Sequence, residues 1–210
     1  VHHLYEDRQA ELLDIISECE KAGNPDIVYE FASTSKVTFA GAGIAAMASS
    51  KKNLDFIRKS MTIQTIGYDK VNQYRHVKYF KNLDGIKAIH GMTEHMKKHA
   101  EILRPKFELV DEILTKELEG LGIGTWTKPL GGYFITFETL EGCATSVVKK
   151  AKEAGVVLTG AGAPFPYGTD PRDFVIRIAP SYPTLEELRQ AAEVFVLCVK
   201  LASVEKLLEA

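Results

Sequence analysis

The stretch Ile27-Val28-Tyr29-Glu30-Phe31-Ala32-Ser33-Thr34-Ser35-Lys36, followed by Gly41-Ala42-Gly43-Ile44-Ala45-Ala46, decides the fold. Ile27 to Ala32 is a continuous apolar-biased run, the pattern expected of a strand buried on both faces. At its end stands a lysine flanked by small hydroxyl residues. Taking a lysine charge out of water is costly, so a lysine in such a place calls for a reason. Covalent chemistry is one: a desolvated amine has a lowered pKa and forms a Schiff base with an aldehyde. The Ser33 and Ser35 hydroxyls beside it suit a phosphate. An aldehyde and a phosphate on one molecule point to pyridoxal phosphate. The plain alternative is a surface lysine in a serine-rich turn, since many loops carry S-x-S-K. The strand-like run before it and the small-residue segment after it favour the chemical reading.

Outward from this stretch, Glu6 to Ala22 reads as an amphipathic helix, with Leu12, Leu13, Ile16 and Cys19 at helical spacing and a stop at Gly23-Asn24-Pro25. Val37 to Ala48 reads as a second strand with tight backbone contacts at Gly41 and Gly43. Leu54–Met61 and Lys70–Asn82 read as helices. From Thr93 to Leu118 the residues Met96, Ala100, Leu103, Phe107, Val110, Leu114 and Leu118 form one stripe at three- and four-residue steps. Thr93 is the expected N-cap, and Pro105 predicts a kink rather than a break. Beyond Gly120 the pattern predicts strands at Tyr133–Glu138, Val156–Thr159 and Phe174–Ile178 and helices at Ala144–Ala154 and Thr184–Leu208. The last is opened by a capping box of Thr184 and Glu187. The Gly/Pro-rich run Gly160–Gly168 is a loop of the kind that lines sites.

A chain of 210 residues has room for one large core or one and a half ordinary domains. Its formal charge of -2, with basic residues interleaved among acidic ones, argues against a nucleic-acid partner. Cys19, Cys143 and Cys198 form no C-x-x-C pair and fit small buried hydrophobes in a reducing, cytoplasmic setting. No apolar run has the length of a membrane span. His95 and His99 have the spacing of a metal pair, but no zincin-type glutamate accompanies them, and the neighbouring lysines predict a solvated helix face without metal. Gly41-x-Gly43-x-x-Ala46 fits a dinucleotide fingerprint only superficially, because the unit expected after it is missing. The start at Val1, without a methionine and in the midst of apparent structure, suggests a piece of a longer protein.

Several linked stretches carry a resemblance. Phe31-Ala32-Ser33-Thr34-Ser35-Lys36 with Gly41-Ala42-Gly43 resembles the lysine segment of fold-type I, class I pyridoxal-phosphate aminotransferases, and most of all their aspartate aminotransferase-like subgroup. The resemblance continues in Ile66–His76, in Pro129-Leu130-Gly131-Gly132-Tyr133-Phe134, in Ala154–Gly162 and in Ile176-Arg177-Ile178-Ala179. It covers essentially the whole chain. It implies an α/β fold in which residues 1–85 are the trailing part of the large cofactor-binding domain, with a mixed, mostly parallel sheet. Residues 86–120 would be a long kinked interdomain helix, and 121–210 a small α+β domain. It implies Lys36 as the Schiff-base lysine and catalytic acid–base group, with Ser33 and Ser35 on the cofactor phosphate. Asn72, with Gln73, would approach the cofactor of a neighbouring subunit in a homodimer. Arg177, an arginine in an otherwise apolar strand, would grip the substrate α-carboxylate through two parallel hydrogen bonds.

The expected activity is transamination between an amino acid, aspartate or a similar one, and a 2-oxo acid. Two alternatives share the fold: an aminotransferase-like ligand sensor in a transcription regulator, and a pyridoxal-phosphate-dependent lyase or decarboxylase. The chain departs from the family in two places. Ala42-Gly43-Ile44-Ala45 lacks the arginine that clamps the cofactor phosphate in many class I enzymes. The acidic partner of the pyridine nitrogen and its companion tyrosine are expected upstream of Val1. Without that acidic partner the ring is a poor electron sink, so this chain alone is expected to be inactive.

Overall fold

Asp14 starts the first well-defined element. Its carboxylate accepts from the Ser17 backbone N–H at 3.1 Å and caps helix α1, Ile15–Lys21. The computed structural model describes residues 4–5, 12–84 and 88–209. The helix expected from Glu6 is therefore shorter among these residues. Leu12 and Leu13 precede it and are exposed, and the expected part at 6–11 lies outside the described residues. The stop is where the sequence predicts it: α1 ends at Lys21, and Gly23 follows with φ 74°, a conformation that favours glycine.

The described chain divides into two compact units, the first holding residues 12–84 and 88–98, the second 4–5 and 99–209. In the first, strand β1, Tyr29–Ser33, pairs antiparallel with β2, Ala45–Ser49, in the register Phe31 to Met47. One expectation changes here. The run ending at Lys36 is not buried on both faces: every residue of β1 is exposed, because β2 is the only strand against it among the described residues. The pair is antiparallel: Thr34 to Ile44 contains turns and no crossover helix, and a short connection of that kind joins antiparallel neighbours. The second strand accordingly begins at Ala45, not Val37.

Helices α2, Lys51–Gln64, and α3, Lys70–Asp84, follow. Ser50 caps α2, and the buried Asn53 ties its first turn down by donating to the Asp26 carbonyl and the Ser49 hydroxyl, each at 2.9 Å. Helix α4, Ala88–Leu118, starts earlier than the sequence suggests, so Thr93 lies inside it. The helix continues through Pro105, as expected. Its first turns belong to the first unit, where Gly91 packs against α3. A Cβ at Gly91 would fall 1.8 Å from the Phe80 carbonyl oxygen. The predicted solvated face of His95 is corrected: His95 is buried, held in an aromatic cluster with Phe80 and Tyr79. Among the described residues no group of three His, Cys, Asp or Glu gathers as a metal site would require. No described helix is long and apolar enough to cross a membrane.

The second unit is an antiparallel sheet in the order β3–β4–β5, covered by helices. The strands are Gly124–Trp126, Ile135–Thr139 and Val175–Ile178. Strand β4 alternates as a one-sided strand should, with Ile135, Phe137 and Thr139 buried. Phe137 is fully buried, edge-on to Phe195 at 5.0 Å and stacked on Trp126 at 6.2 Å. The α4 stripe from Leu103 to Leu118 lines this core, together with helices α5, Ala144–Glu153, and α6, Leu185–Leu208. The capping box is present: Thr184 accepts from the Glu187 N–H, and the Glu187 carboxylate accepts from the Thr184 N–H. Burial pushes the Cys143 and Cys198 thiols up in pKa, as for small apolar groups. Val156–Thr159 is not a strand, because no ladder forms along it, and the three-residue β3 escaped the sequence reading. Leu4 belongs to this unit: it is fully buried, its N–H donates to the Leu130 carbonyl, and its own carbonyl accepts from Arg104 Nε at 2.7 Å.

Two outcomes follow from this packing. Gly91→Ala gains helix propensity but meets backbone that cannot step aside, so it is expected to destabilise the protein by about 1–3 kcal/mol in denaturant titration. An unchanged midpoint would contradict the close approach. Asp170 supplies the second. Burial raises its pKa, but the N–H groups of Phe174, Val175 and Arg172 donate to its carboxylate and hold it below the ordinary range. A depressed folded pKa means stability that is present above the unfolded value and lost as pH falls through the folded one. The thermal midpoints of wild type and Asp170→Asn should therefore converge as pH drops below about 4.

Candidate active site

Lys36 occupies the middle of a tight turn that leaves β1. The turn closes on Thr34, whose carbonyl accepts from the N–H groups of Val37 and Thr38, each at 2.9 Å. Lys36, Ser33 and Ser35 are all exposed, and the two serine hydroxyls lie 2.8 Å apart. The apolar run 27–32 predicts a lysine at the end of a buried strand. Strand and lysine are both exposed, so the described residues do not supply the desolvation that a lowered lysine pKa needs.

What the turn lacks in burial it gains in fastening from beneath. The Thr34 N–H donates to the Ile44 carbonyl at 2.8 Å, and the Ile44 N–H returns a bond to the Thr34 hydroxyl at 2.9 Å. Gly43 lies so close that a Cβ there would come 2.9 Å from Ser35 backbone atoms. A side chain would force the two backbones apart, which gives the Gly41-x-Gly43 pattern its physical meaning. His95 Nε2 lies 2.5 Å from the Val37 carbonyl oxygen, which can only accept. The Tyr79 hydroxyl lies 3.1 Å from its Nδ1. Phe39 packs edge-on against His76 and Tyr79, with the Arg75 guanidinium 4.3 Å from its ring centre.

Asn72 belongs to the same unit. Its side-chain amide donates to the Ala42 carbonyl at 2.9 Å and reaches the Gly43 carbonyl at 3.4 Å. Its Oδ1 is buried and has no partner among the described residues. Within this chain Asn72 is thus a fastener of the segment after the lysine. His76, Thr34 and Thr38, which the sequence reading passed over, form the rest of that fastening. His76 carried no signal of its own. Its meaning depends on contacts with residues 34 and 38, far away in sequence.

Arg177 lies in the other unit. It sits on β5 opposite Thr136, with its guanidinium 4.4 Å from the centre of the Phe134 ring. Its Nε is buried without a partner, and no carboxylate pairs with it among the described residues. It borders a cavity of about 150 Å³ whose other walls include Leu114, Leu158, Thr159 and Phe195. A partly buried guanidinium with an orphaned N–H, beside an open cavity, has the donors that a carboxylate ligand would take up.

Comparison with known proteins places this arrangement. The fold is that of aminotransferases. A crystal structure of an aspartate transaminase from Corynebacterium glutamicum superposes with a TM-score of 0.91 at 43% identity, covering 98% of this chain and 47% of that one. The α-aminoadipate aminotransferase of Thermus thermophilus, solved with N-(5'-phosphopyridoxyl)-L-leucine, superposes with a TM-score of 0.71 over 97% of this chain and 49% of its own. At 18% identity that likeness speaks to fold alone. The chain belongs to the aspartate amino-transferase family, whose model matches residues 1–210. Aspartate aminotransferase of Corynebacterium glutamicum is 42% identical over 203 residues, which is 97% of this chain and 46% of that protein. The chain thus spans about half the length of the relatives it matches.

An arginine kept unpaired for a ligand should cost stability rather than supply it. Arg177→Met is expected to leave the thermal midpoint unchanged or raise it by the equivalent of about 1 kcal/mol. A clear loss of stability would mark Arg177 as a structural residue.

Proposed function

We propose that the whole protein transfers an amino group between an amino acid, aspartate or a similar one, and a 2-oxo acid, using pyridoxal 5'-phosphate. The observation that carries this reading is the Lys36 turn: an exposed amine between fixed backbone anchors, with two serine hydroxyls 2.8 Å apart beside it. The residues present fit the cofactor. Ser33 and Ser35 offer hydroxyl donors for phosphate oxygens, and Lys36 offers the amine that tethers an aldehyde. Asn72 buttresses the segment after them through the Ala42 and Gly43 carbonyls, and its Oδ1 has no partner among the described residues. When bound, the cofactor supplies the electron sink that makes the substrate α-proton removable.

The chain's own part is binding and proton transfer. Lys36 would hold the cofactor through its amine. Once released, that amine would take the proton from the substrate α-carbon as general base and, as general acid, deliver it to the carbon that came from the cofactor's aldehyde rather than back to the α-carbon. Arg177 binds the substrate carboxylate through paired N–H donors, with Phe134 supporting the guanidinium plane. That anchoring fixes the α-hydrogen in orientation, which is where much of the rate gain of such sites lies. A homodimer, with Asn72 and Gln73 near the partner's cofactor, is part of the same proposal.

The test uses the full-length protein. Lys36→Ala is expected to abolish the visible absorption band of the lysine-bound cofactor and to lower transamination of aspartate and 2-oxoglutarate by roughly 10³-fold or more. Borohydride reduction of wild type should fix the cofactor on the peptide that contains Lys36. A variant that kept both band and turnover would sink the assignment.

A further inference from the structure

We propose that His76 is the positioning residue of Lys36. The ring is 1% exposed, and nothing in the transamination chemistry assigned above uses it. Its two nitrogens have different partners. Nδ1 lies 2.9 Å from the Asn72 backbone carbonyl, which can only accept, so this nitrogen carries the proton. In the neutral ring Nε2 is then an acceptor. It lies 2.9 Å from the Thr38 hydroxyl and 3.3 Å from that of Thr34. Those hydroxyls are 3.0 Å from each other. Thr34 stands two residues before Lys36 and Thr38 two residues after it. One imidazole on α3 therefore holds both limbs of the turn that presents the lysine, and its other nitrogen is oriented by a carbonyl one turn earlier in the same helix.

The geometry has a functional consequence. β1 is exposed and has one strand partner among the described residues, so the strand itself does little to define where the turn sits. Within this chain the turn is placed by the buried Val37, by Phe39 against the His76 and Tyr79 rings, and by polar contacts of which His76 is the most buried member. A hydroxyl pair that gripped only itself would fix the turn's shape but not its place. His76 joins shape to place because it stands on α3, the helix that also holds Ala42 through the Asn72 side chain, and its bond to the Asn72 carbonyl one turn earlier fixes the ring's orientation. The amine of Lys36 inherits its position from this chain of contacts.

This inference rests on the transamination reading for its catalytic consequence, but not for the clamp itself. His76→Phe keeps the ring volume and removes both nitrogens; His76→Gln keeps a donor and an acceptor; Thr38→Val removes the partner hydroxyl without touching α3. In full-length protein without cofactor, His76→Phe and Thr38→Val are each expected to speed amide hydrogen exchange at Val37, Thr38 and Ile44 at least tenfold, and His76→Gln less so. With pyridoxal phosphate loaded, the first two should lower kcat at least tenfold, leave KM for the amino acid within twofold, and move the pH midpoint of the visible absorption band. His76→Gln should restore part of each. If His76→Phe does not fold, Thr38→Val decides alone. Exchange rates, band and kcat all at wild-type values would overturn the proposal. The exchange comparison needs no cofactor, so it judges the clamp even if wild type proves not to transaminate, which would count against the proposed function instead.

Discussion

One continuous helix serves two cores. Between Ala88 and Leu118 the chain makes a single α-helix, and each end is committed to a different set of partners. The first turns supply Gly91 and His95 to the unit that carries the lysine. The rest supplies the buried stripe from Ala100 to Leu118 to the unit that carries the arginine. The two ends are specialised in opposite ways. The stripe is aliphatic and aromatic and contributes by burial. The first turns contribute by close approach and by a buried ring that meets the Val37 carbonyl. Pro105 lies within the stripe, and the helix carries on through it although the Glu101 carbonyl has lost its helical donor.

The two candidate site residues are held by contrasting physics. Lys36 is exposed, and the turn that carries it is held by hydrogen bonds of Thr34, Thr38 and Val37 to each other and to two buried imidazoles. Arg177 is partly buried on a strand whose neighbours are firmly packed, with the Phe134 ring beside its guanidinium and no carboxylate paired with it among the described residues. A flexible cation on a defined turn suits a group that must change partners during a reaction. A rigid cation on a core strand suits a group that must hold one anion still.

The sequence made some elements legible because their signals are local. The α4 stripe, the Thr184–Glu187 capping box, the stop after Lys21 and the strand containing Arg177 each depend on residues within one or two turns of each other. The errors fall where a local pattern needed a distant partner. Val156–Thr159 has the composition of a strand but no ladder. Phe31 and its neighbours look like a doubly covered strand, yet the described residues place only β2 beside them. Thr93 looks like a cap, but the helix has already begun. The lysine segment was recognisable from its own residues and from the linked motifs. Its fastening was not, since Thr34, Thr38, Asn72, His76 and His95 are ordinary residues until the chain is folded.

The sequence by itself determined the family, the lysine and arginine that a pyridoxal-phosphate reading would use, and the helical periodicity that builds the second core. These follow from residue identity and short-range spacing, which survive without coordinates. Only the tertiary structure decided that the lysine turn is exposed and held by buried imidazoles, that Asn72 grips the Ala42 carbonyl, and that Arg177 lacks a carboxylate among the described residues. Each of these is a relation between residues tens of positions apart. Hydrogen bonds of a few ångströms have no signature in the order of the chain until packing brings donor and acceptor together.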